Sequence, residues 1–304
     1  MIRKPMLASN YDADKLVFPI GVQPKIDGVR GLNMDGTLTG RSLKTFGNKH
    51  ITARFSKPDF VGLDGEFAAD RETHPRLCSL TSSAMSANGG KDADIMWHVF
   101  DMITEETVDL PYRERYAFLH TYINDMQTSG NFERVRVVPM VICHMPQQVE
   151  SLHQFHLDSG YEGTILRSLS GKHKAGRSTV REGGLLRIKD FDFEEAMVIG
   201  ITEGRVNNNE QQTNELGRSF RTSHQDNQTP NGMVGSLECE IINDSELFTK
   251  GQSVTVSKGE MTHEEAKYYF ENPSKIVGQK IKFKHFPKGV KVKPRFPTFH
   301  EICS

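Results

Sequence analysis

The sequence predicts an α+β chain of two domains, and three features predict it. Strand-like and helix-like segments alternate through residues 1–190. Short strands with a single helix fill residues 191–304, and a long polar stretch at about 203–232 interrupts them. With 304 residues, 36% apolar and 25% charged, the chain has length for one large domain or two ordinary ones, each with a core.

Residues 17–22 are apolar and read as a buried strand; 60–67 and 95–102 read the same way, the last with Trp97, Val99 and Phe100. Residues 112–126 carry helical spacing, with Tyr116, Leu119 and Ile123 on one face behind Pro111. The β-branched run 135–143 predicts a strand, and 146–157 a helix that stops before Ser159-Gly160. After Lys189, residues 195–201, 236–242, 252–256 and 280–286 read as short strands. Thr262-His263-Glu264-Glu265 is a capping box opening a helix through Phe270. This set predicts a small Greek-key barrel of the OB type. The stretch 203–232 is rich in Asn, Gln, Thr and Ser, and reads as a mobile or binding loop, or else as a tolerated insertion.

Net charge is −1, which argues against a protein that coats nucleic acid indiscriminately. The balance is local, however. From Lys280 to Arg295 there are seven Lys/Arg and no acid, and Lys280, Lys282 and Lys284 alternate with Ile281 and Phe283. That pattern fits either a lysine-guarded edge strand or a surface for a phosphate backbone. No apolar run is long enough to span a membrane, and the first residues leave no room for a signal-peptide core. Cys78, Cys143, Cys239 and Cys303 are scattered without a Cys-x-x-Cys pair, so neither structural zinc nor a disulfide framework is expected. A reducing, cytoplasmic setting follows.

The chemistry concentrates in Lys25-Ile26-Asp27-Gly28-Val29-Arg30. Four fixed residue types at fixed spacing recur by accident in roughly one window in 10⁵. A lysine nucleophile must shed its proton before it attacks, which burial and neighbouring cations favour. A surface turn at a strand end is the plainer explanation of this motif taken alone. Other segments bear on the choice: Leu63-Asp64-Gly65-Glu66-Phe67, Trp97-His98-Val99-Phe100-Asp101, Tyr161-Glu162-Gly163-Thr164-Ile165-Leu166-Arg167 and Leu185-Leu186-Arg187-Ile188-Lys189. Each sets an acid, an aromatic or a cation at a strand or its end.

In this order the segments resemble the nucleotidyltransferase motifs of the covalent ligase and capping-enzyme superfamily. The whole set is most similar to a minimal ATP-dependent DNA ligase of the viral or phage type. Lys25 to Arg30 corresponds to motif I, Gly40-Arg41-Ser42 to motif Ia, and Asp64 to Phe67 to motif III. Phe100-Asp101 corresponds to motif IIIa, Glu162-Gly163 to motif IV and Arg187 to Lys189 to motif V. The opening Pro5-Met6-Leu7-Ala8 is also similar to the family's segment before its lysine. The resemblance implies an adenylation domain of antiparallel sheets over 1–190 and an OB-fold domain over 191–304.

It also implies ATP as substrate, Mg²⁺ or Mn²⁺ as cofactor, nicked double-stranded DNA as partner, and a monomer at work in replication, repair or recombination. Lys25 would carry AMP. Arg30, Arg41, Glu66, Phe100, Glu162, Arg187 and Lys189 would line the ATP and AMP site, with Glu66 on the ribose and Phe100 on adenine. Glu162 and Glu66 would hold the metal. Arg30 and Arg41 would meet the nick phosphate, joined on DNA by Lys282, Lys284, Arg205 and Arg218, the last two in a stretch that clasps the duplex. With no DNA-binding domain expected ahead of Lys25, these two domains would supply all of the DNA contact.

Two departures stand out. Arg187 takes a position usually held by lysine, and the basic-x-Asp-Lys pattern expected after Arg295-Phe296-Pro297-Thr298-Phe299 is missing. Lys293 or Arg295 would then orient pyrophosphate. A GTP-using capping enzyme shares the lysine chemistry but usually has Asp where Glu162 stands. An RNA ligase fits the Asp-Gly-x-Arg form less well, and an NAD-dependent ligase would be longer and carry a four-cysteine zinc site. A non-catalytic OB-fold nucleic-acid-binding protein would form no covalent adduct.

Overall fold

Between Pro5 and Lys25 the chain lays down three strands, β1 (Met6–Leu7), β2 (Ser9–Asn10) and β3 (Ile20–Lys25). The third is buried at its first five positions, as its apolar run predicts. It begins at Ile20 rather than Val17, which stands in solvent; Pro19 between them has no N–H for a ladder. Residues 4–88, 93–130, 132–217, 219–287 and 294–303 are described in this computed structural model, and the chain divides into two units, Met1–Lys189 and Asp190–Ser304.

In the first unit the chain crosses at Gly28 to a second sheet, with β4 (Val29–Asn33), β5 (Leu38–Gly40), β6 (Leu63–Ala68) and β7 (Met96–Met102). Asn48 caps α1 (Lys49–Phe55) by accepting from the N–H groups of His50 and Ile51, and α2 (Leu77–Ser86) lies between β6 and β7. The long α3 (Tyr112–Thr128) buries Tyr112, Arg115, Leu119 and Ile123. Then come β8 (Val135–Val137), β9 (Val141–Cys143), α4 (Pro146–Asp158), β10 (Gly163–Ser168), β11 (Gly176–Arg177) and β12 (Leu185–Ile188).

These strands form two five-stranded sheets, β2-β12-β10-β3-β9 and β5-β4-β6-β7-β8, while β1 pairs with β11. The run 135–143, expected as one strand, is two. β8 runs parallel to β7 in one sheet and β9 antiparallel to β3 in the other, so a single apolar segment stitches both. The second sheet packs on an aromatic core in which Trp97 stacks on Phe67 at 4.9 Å and Phe55 meets Trp97 edge-on at 5.5 Å.

The second unit is the barrel, closed in the order β13 (Asp192–Asn207), β16 (Gln228–Ile241), β17 (Ser253–Ser257), β19 (Arg295–Ile302) and β18 (Lys280–Phe286). Two short strands, β14 (Gln211–Thr213) and β15 (Ser219–Arg221), form a separate hairpin between β13 and β16. α5 (His263–Glu271) starts at Thr262 with both capping-box bonds made. Ala196, Val198, Leu237, Val256, Ile281 and Phe283 fill the interior. Because β18 pairs with β13 on one side and β19 on the other, it is not an edge strand; its lysines face outward while Ile281, Phe283 and His285 face in.

The stretch 203–232 also departs from expectation. β13 and β16 continue into it as a paired ribbon, with Arg205 opposite Pro230, Val206 opposite Thr229 and Asn207 opposite Gln228. Ladder hydrogen bonds need only backbone, so a two-sided polar ribbon forms without the alternation that marks a half-buried strand. Among the described residues no helix is long and apolar enough to cross a membrane.

Candidate active site

Lys25 is the last residue of β3, paired with Gly163 at the start of β10. Beyond it the chain turns at Gly28, where a Cβ would collide with the carbonyl oxygen of Phe67. Only glycine lets the lysine strand pass this close to β6. Glu162 sits in the turn between α4 and β10, and its N–H donates to the Lys25 carbonyl at 3.0 Å. Its carboxylate takes Lys25 Nζ on one oxygen and Lys189 Nζ on the other. Three charges that lie 137 and 27 residues apart in sequence thus meet at one carboxylate.

The environment tunes these groups in different directions. Burial works to raise the Glu162 carboxyl, but Lys25 and Lys189 outweigh it and hold the group below the usual carboxylate range. Burial, and then Lys25 nearby, press the Lys189 ammonium down. Glu66 goes the other way: burial pushes its carboxyl up to about 7, against the attraction of Lys25 and Arg30.

A cavity of about 580 Å³ opens beside Lys25, and its wall includes Arg41, Glu66, Phe100, Arg167 and Arg187. That volume suits a nucleotide-sized ligand. Arg41 is exposed in the turn after β5. Arg187, half-buried on β12, donates from Nε to Asn10 Oδ1 at 2.9 Å; burial, then Arg177, lower its pKa. Glu162 and Lys189 are not on this wall but reach the cavity through Lys25.

Arg30, expected at the nick phosphate and among the nucleotide contacts, is held from within the fold. Nε and Nη2 grip both oxygens of Asp64 at 2.9 and 2.6 Å, and Nη1 donates to the Met6 carbonyl at 2.7 Å. Its guanidinium also lies 5.3 Å from the centre of the Phe100 ring. Arg30 still lines the cavity, so it shapes the site while its fork is engaged inside it.

Lys282 and Lys284 also have partners: Lys282 reaches Glu301 at 3.8 Å and lies over Phe193, while Lys284 pairs with Glu260 and lies over Phe191. The basic outer face of β18 is therefore partly neutralised, because acids on neighbouring elements, remote in sequence, fold against it. Arg205 is exposed on the polar ribbon, whereas Arg218 and Lys293 lie outside the described residues. Arg295 starts β19, 5.6 Å from the Phe296 ring.

Two arginines on the cavity wall carry no motif. Arg177 on β11 is exposed and donates to the Ala8 carbonyl. Arg167 is buried on β10, 3.4 Å from Asp101, with its guanidinium 5.2 Å from the Phe100 ring and 4.5 Å from that of Tyr112. The strand alternation of 163–168 was the available signal for Arg167, since it points opposite to Leu166; for Arg177 the local sequence offers none. Among the described residues no three His, Cys, Asp or Glu side chains converge as a metal cage.

The family model of the ATP dependent DNA ligase domain matches residues 5–189. No curated protein sequence matches the chain. Among solved structures, the Chlorella virus DNA ligase-adenylate is 23% identical over 100% of both chains, with a TM-score of 0.54. A Lig E DNA ligase, described as binding DNA with a minimal scaffold, is 20% identical over 100% of both chains, with a TM-score of 0.72. The bacteriophage T7 ligase in complex with ATP is 13% identical over 99% of this chain and 98% of its own, with a TM-score of 0.52. At such identities the likeness is one of fold, and it extends to both units. The family match covers more than half the chain and takes in Lys25, Glu66, Glu162 and Lys189, so the chain belongs to the ATP-dependent DNA ligase family.

Proposed function

We propose that this ligase seals nicks in double-stranded DNA, as a monomer, with Lys25 carrying AMP between ATP and the nick. The observation that carries the assignment is the Glu162 carboxylate held between Lys25 and Lys189 at a nucleotide-sized cavity. Lys25 Nζ, once it has lost a proton, attacks the α-phosphorus of ATP; a P–N bond forms, the bond to pyrophosphate breaks and pyrophosphate leaves. Glu162 is the nearest acceptor for that proton. A 5′-phosphate oxygen then attacks the same phosphorus and returns the electron pair to Nζ, giving an adenylated DNA end. Finally the 3′-hydroxyl attacks the 5′-phosphorus, and AMP departs as the phosphodiester forms. Each step needs in-line geometry and spread-out positive charge rather than covalent help.

Lys189, which meets Lys25 at the Glu162 carboxylate, and Arg187, on the wall of the same cavity, would steady the α-phosphate. Glu66 suits the ribose hydroxyls, and Phe100 offers its ring to the adenine. Arg41 is free in the turn to meet the nick phosphate, and Arg30 supports the site through Asp64. Glu162 and Glu66 would hold Mg²⁺ or Mn²⁺, hard cations that take carboxylate oxygens. Such an ion would supply neutralising charge when bound. Lys282, Lys284 and Arg205 remain candidates for the DNA backbone, since surface ion pairs are weak enough to exchange for phosphate. The four free cysteines suit a reducing cytoplasm, with replication, repair or recombination as the setting.

The test is transfer of label from α-labelled ATP in the presence of Mg²⁺, read on a denaturing gel. Lys25→Ala should abolish the label. Retained label would place the nucleophile elsewhere, label from GTP alone would mark a capping enzyme, and no label from either would mark a binding protein.

A further inference from the structure

The turn that carries Glu162 is fastened from the far side by residues outside every motif. Tyr161, immediately before Glu162, donates from its hydroxyl to Glu72 Oε2 at 2.8 Å. The other oxygen of Glu72 lies 3.1 Å from His98 Nδ1. His98 stands on β7 directly opposite Glu66 on β6. Three residues thus link the strand position facing the ribose-binding candidate to the residue next to the bridging carboxylate.

The surroundings make this connection a specific one. Glu72 belongs to an irregular segment after β6, and its neighbour Thr73 lies against the Gly160 turn, 3.1 Å from where a Cβ would stand. Gly160 has a φ of +93°, so a side chain there would be strained as well as crowded. Tyr161 and Glu72 line a second cavity of about 700 Å³, together with His98 and Arg136. The Tyr161 ring also packs on the apolar cluster of Ile26, Ala68, Leu77 and Val138, and the directional bond to Glu72 fixes where its hydroxyl end lies. On its other side the ring meets His156 edge-on at 5.8 Å. Burial, and then the bond to Glu72, push the Tyr161 hydroxyl up to about 12, so it remains a donor throughout the working range of pH.

We infer that Glu72 is a positioning residue for adenylyl transfer, acting through the Tyr161 hydroxyl to hold Glu162 between Lys25 and Lys189. The inference rests on the reading of Lys25 and Glu162 given above. A carboxylate that bridges two ammonium groups can serve both only within a narrow range of placements. A turn free to rock by a fraction of an ångström would favour one lysine over the other.

The experiment is single-turnover formation of lysyl-AMP in the full-length chain across a range of ATP concentrations. Label on the wild type but not on Lys25→Ala secures the underlying reading first, so failure there is distinct from failure here. Tyr161→Phe, which keeps the ring, and Glu72→Ala should each slow the maximal rate about tenfold while leaving the half-saturating ATP concentration within twofold. Glu72→Gln keeps an acceptor for the hydroxyl and should recover to within about threefold of wild type. The double variant Tyr161→Phe/Glu72→Ala should be no slower than the slower single variant. Thermal midpoints, read by Trp97 fluorescence, should stay within about 2 °C, because Glu72 is part-exposed. Rates within twofold of wild type, multiplicative losses in the double variant, or a Glu72→Gln variant as slow as Glu72→Ala would each overturn the inference.

Discussion

Arg30→Ala should damage the fold more than it damages DNA contact. The Asp64 side chain is 1% exposed, and both of its oxygens are held by the Arg30 fork. Removing the arginine leaves a buried carboxylate without its cation, a change that costs about 3–5 kcal/mol. For a unit of this size each kcal/mol moves the midpoint by about 2–4 °C, so a fall of about 6–20 °C is expected. The chain supplies its own reporter. Trp97 is the single tryptophan, fully buried on β7, and β7 pairs with the strand that carries Asp64. Its fluorescence on heating follows this sheet directly. A second variant isolates the cause: Asp64→Asn added to Arg30→Ala removes the stranded charge and should recover at least half of the loss. If Arg30→Ala melts within about 2 °C of wild type while nick binding collapses, the arginine serves DNA and the reasoning fails.

Three further outcomes follow from the site and the ribbon. Glu66→Gln should stabilise the protein at pH 8, because the folded state holds the Glu66 proton up to about pH 7. Wild-type stability therefore falls as pH rises from 4.5 through 7. The full shift corresponds to about 3.4 kcal/mol, which partial solvent access through the cavity cuts to about 1–2 kcal/mol. Urea titrations at pH 8 and pH 5 should show the gain only at the former, and a less stable variant at pH 8 would refute it. His156, whose pKa burial and then His153 lower to about 4, should remain neutral in the folded state at pH 5. The unfolded chain takes up that proton near pH 6.5, so stability drops as pH falls from 6.5 towards 4; a ring titration in NMR centred near 6.5 would contradict this. Replacing residues 208–227 by a two-residue turn should leave the barrel folded and weaken binding to nicked DNA in a gel-shift assay, with a shallower salt dependence. Unchanged binding would remove the ribbon from the DNA-binding surface.

The reactive centre was the most legible part of the sequence, because its residues stand in an ordered series of short motifs. Lys25, Glu66, Glu162 and Lys189 could be named because the series resembles the family's motifs; residue type by itself only made their roles chemically sensible. The internal partners of Arg30 were not legible, for a physical reason. A motif shows that an arginine is present, but its partner is fixed by strand register, here the pairing of β4 with β6 that brings Asp64 within reach. The ribbon at 203–232 was hidden because polar strands solvated on both faces lack the alternation by which strands are read. The run 135–143 looked like one strand because β-branched residues suit either sheet; its division comes from where β3 and β7 end up in space. Glu72 carries no local signal at all, since its role exists only through Tyr161 and His98.

The sheet order β2-β12-β10-β3-β9 also governs when this enzyme can come into being during synthesis. The strand bearing Lys25 is made early, yet its neighbours β9 and β10 emerge well over a hundred residues later, and Lys189 later still. Pairings of such span form slowly, because a long loop must close before any contact rewards it. Until then the apolar strand β3 leaves the ribosome with both faces and both edges bare, and so is exposed to aggregation. The second sheet can largely assemble before this, since β4 through β8 are contiguous in the chain. A nascent chain that ends between residues 138 and 161 would carry every strand of the second sheet, while Lys25 still lacks both β10 and the Glu162 carboxylate that meets it.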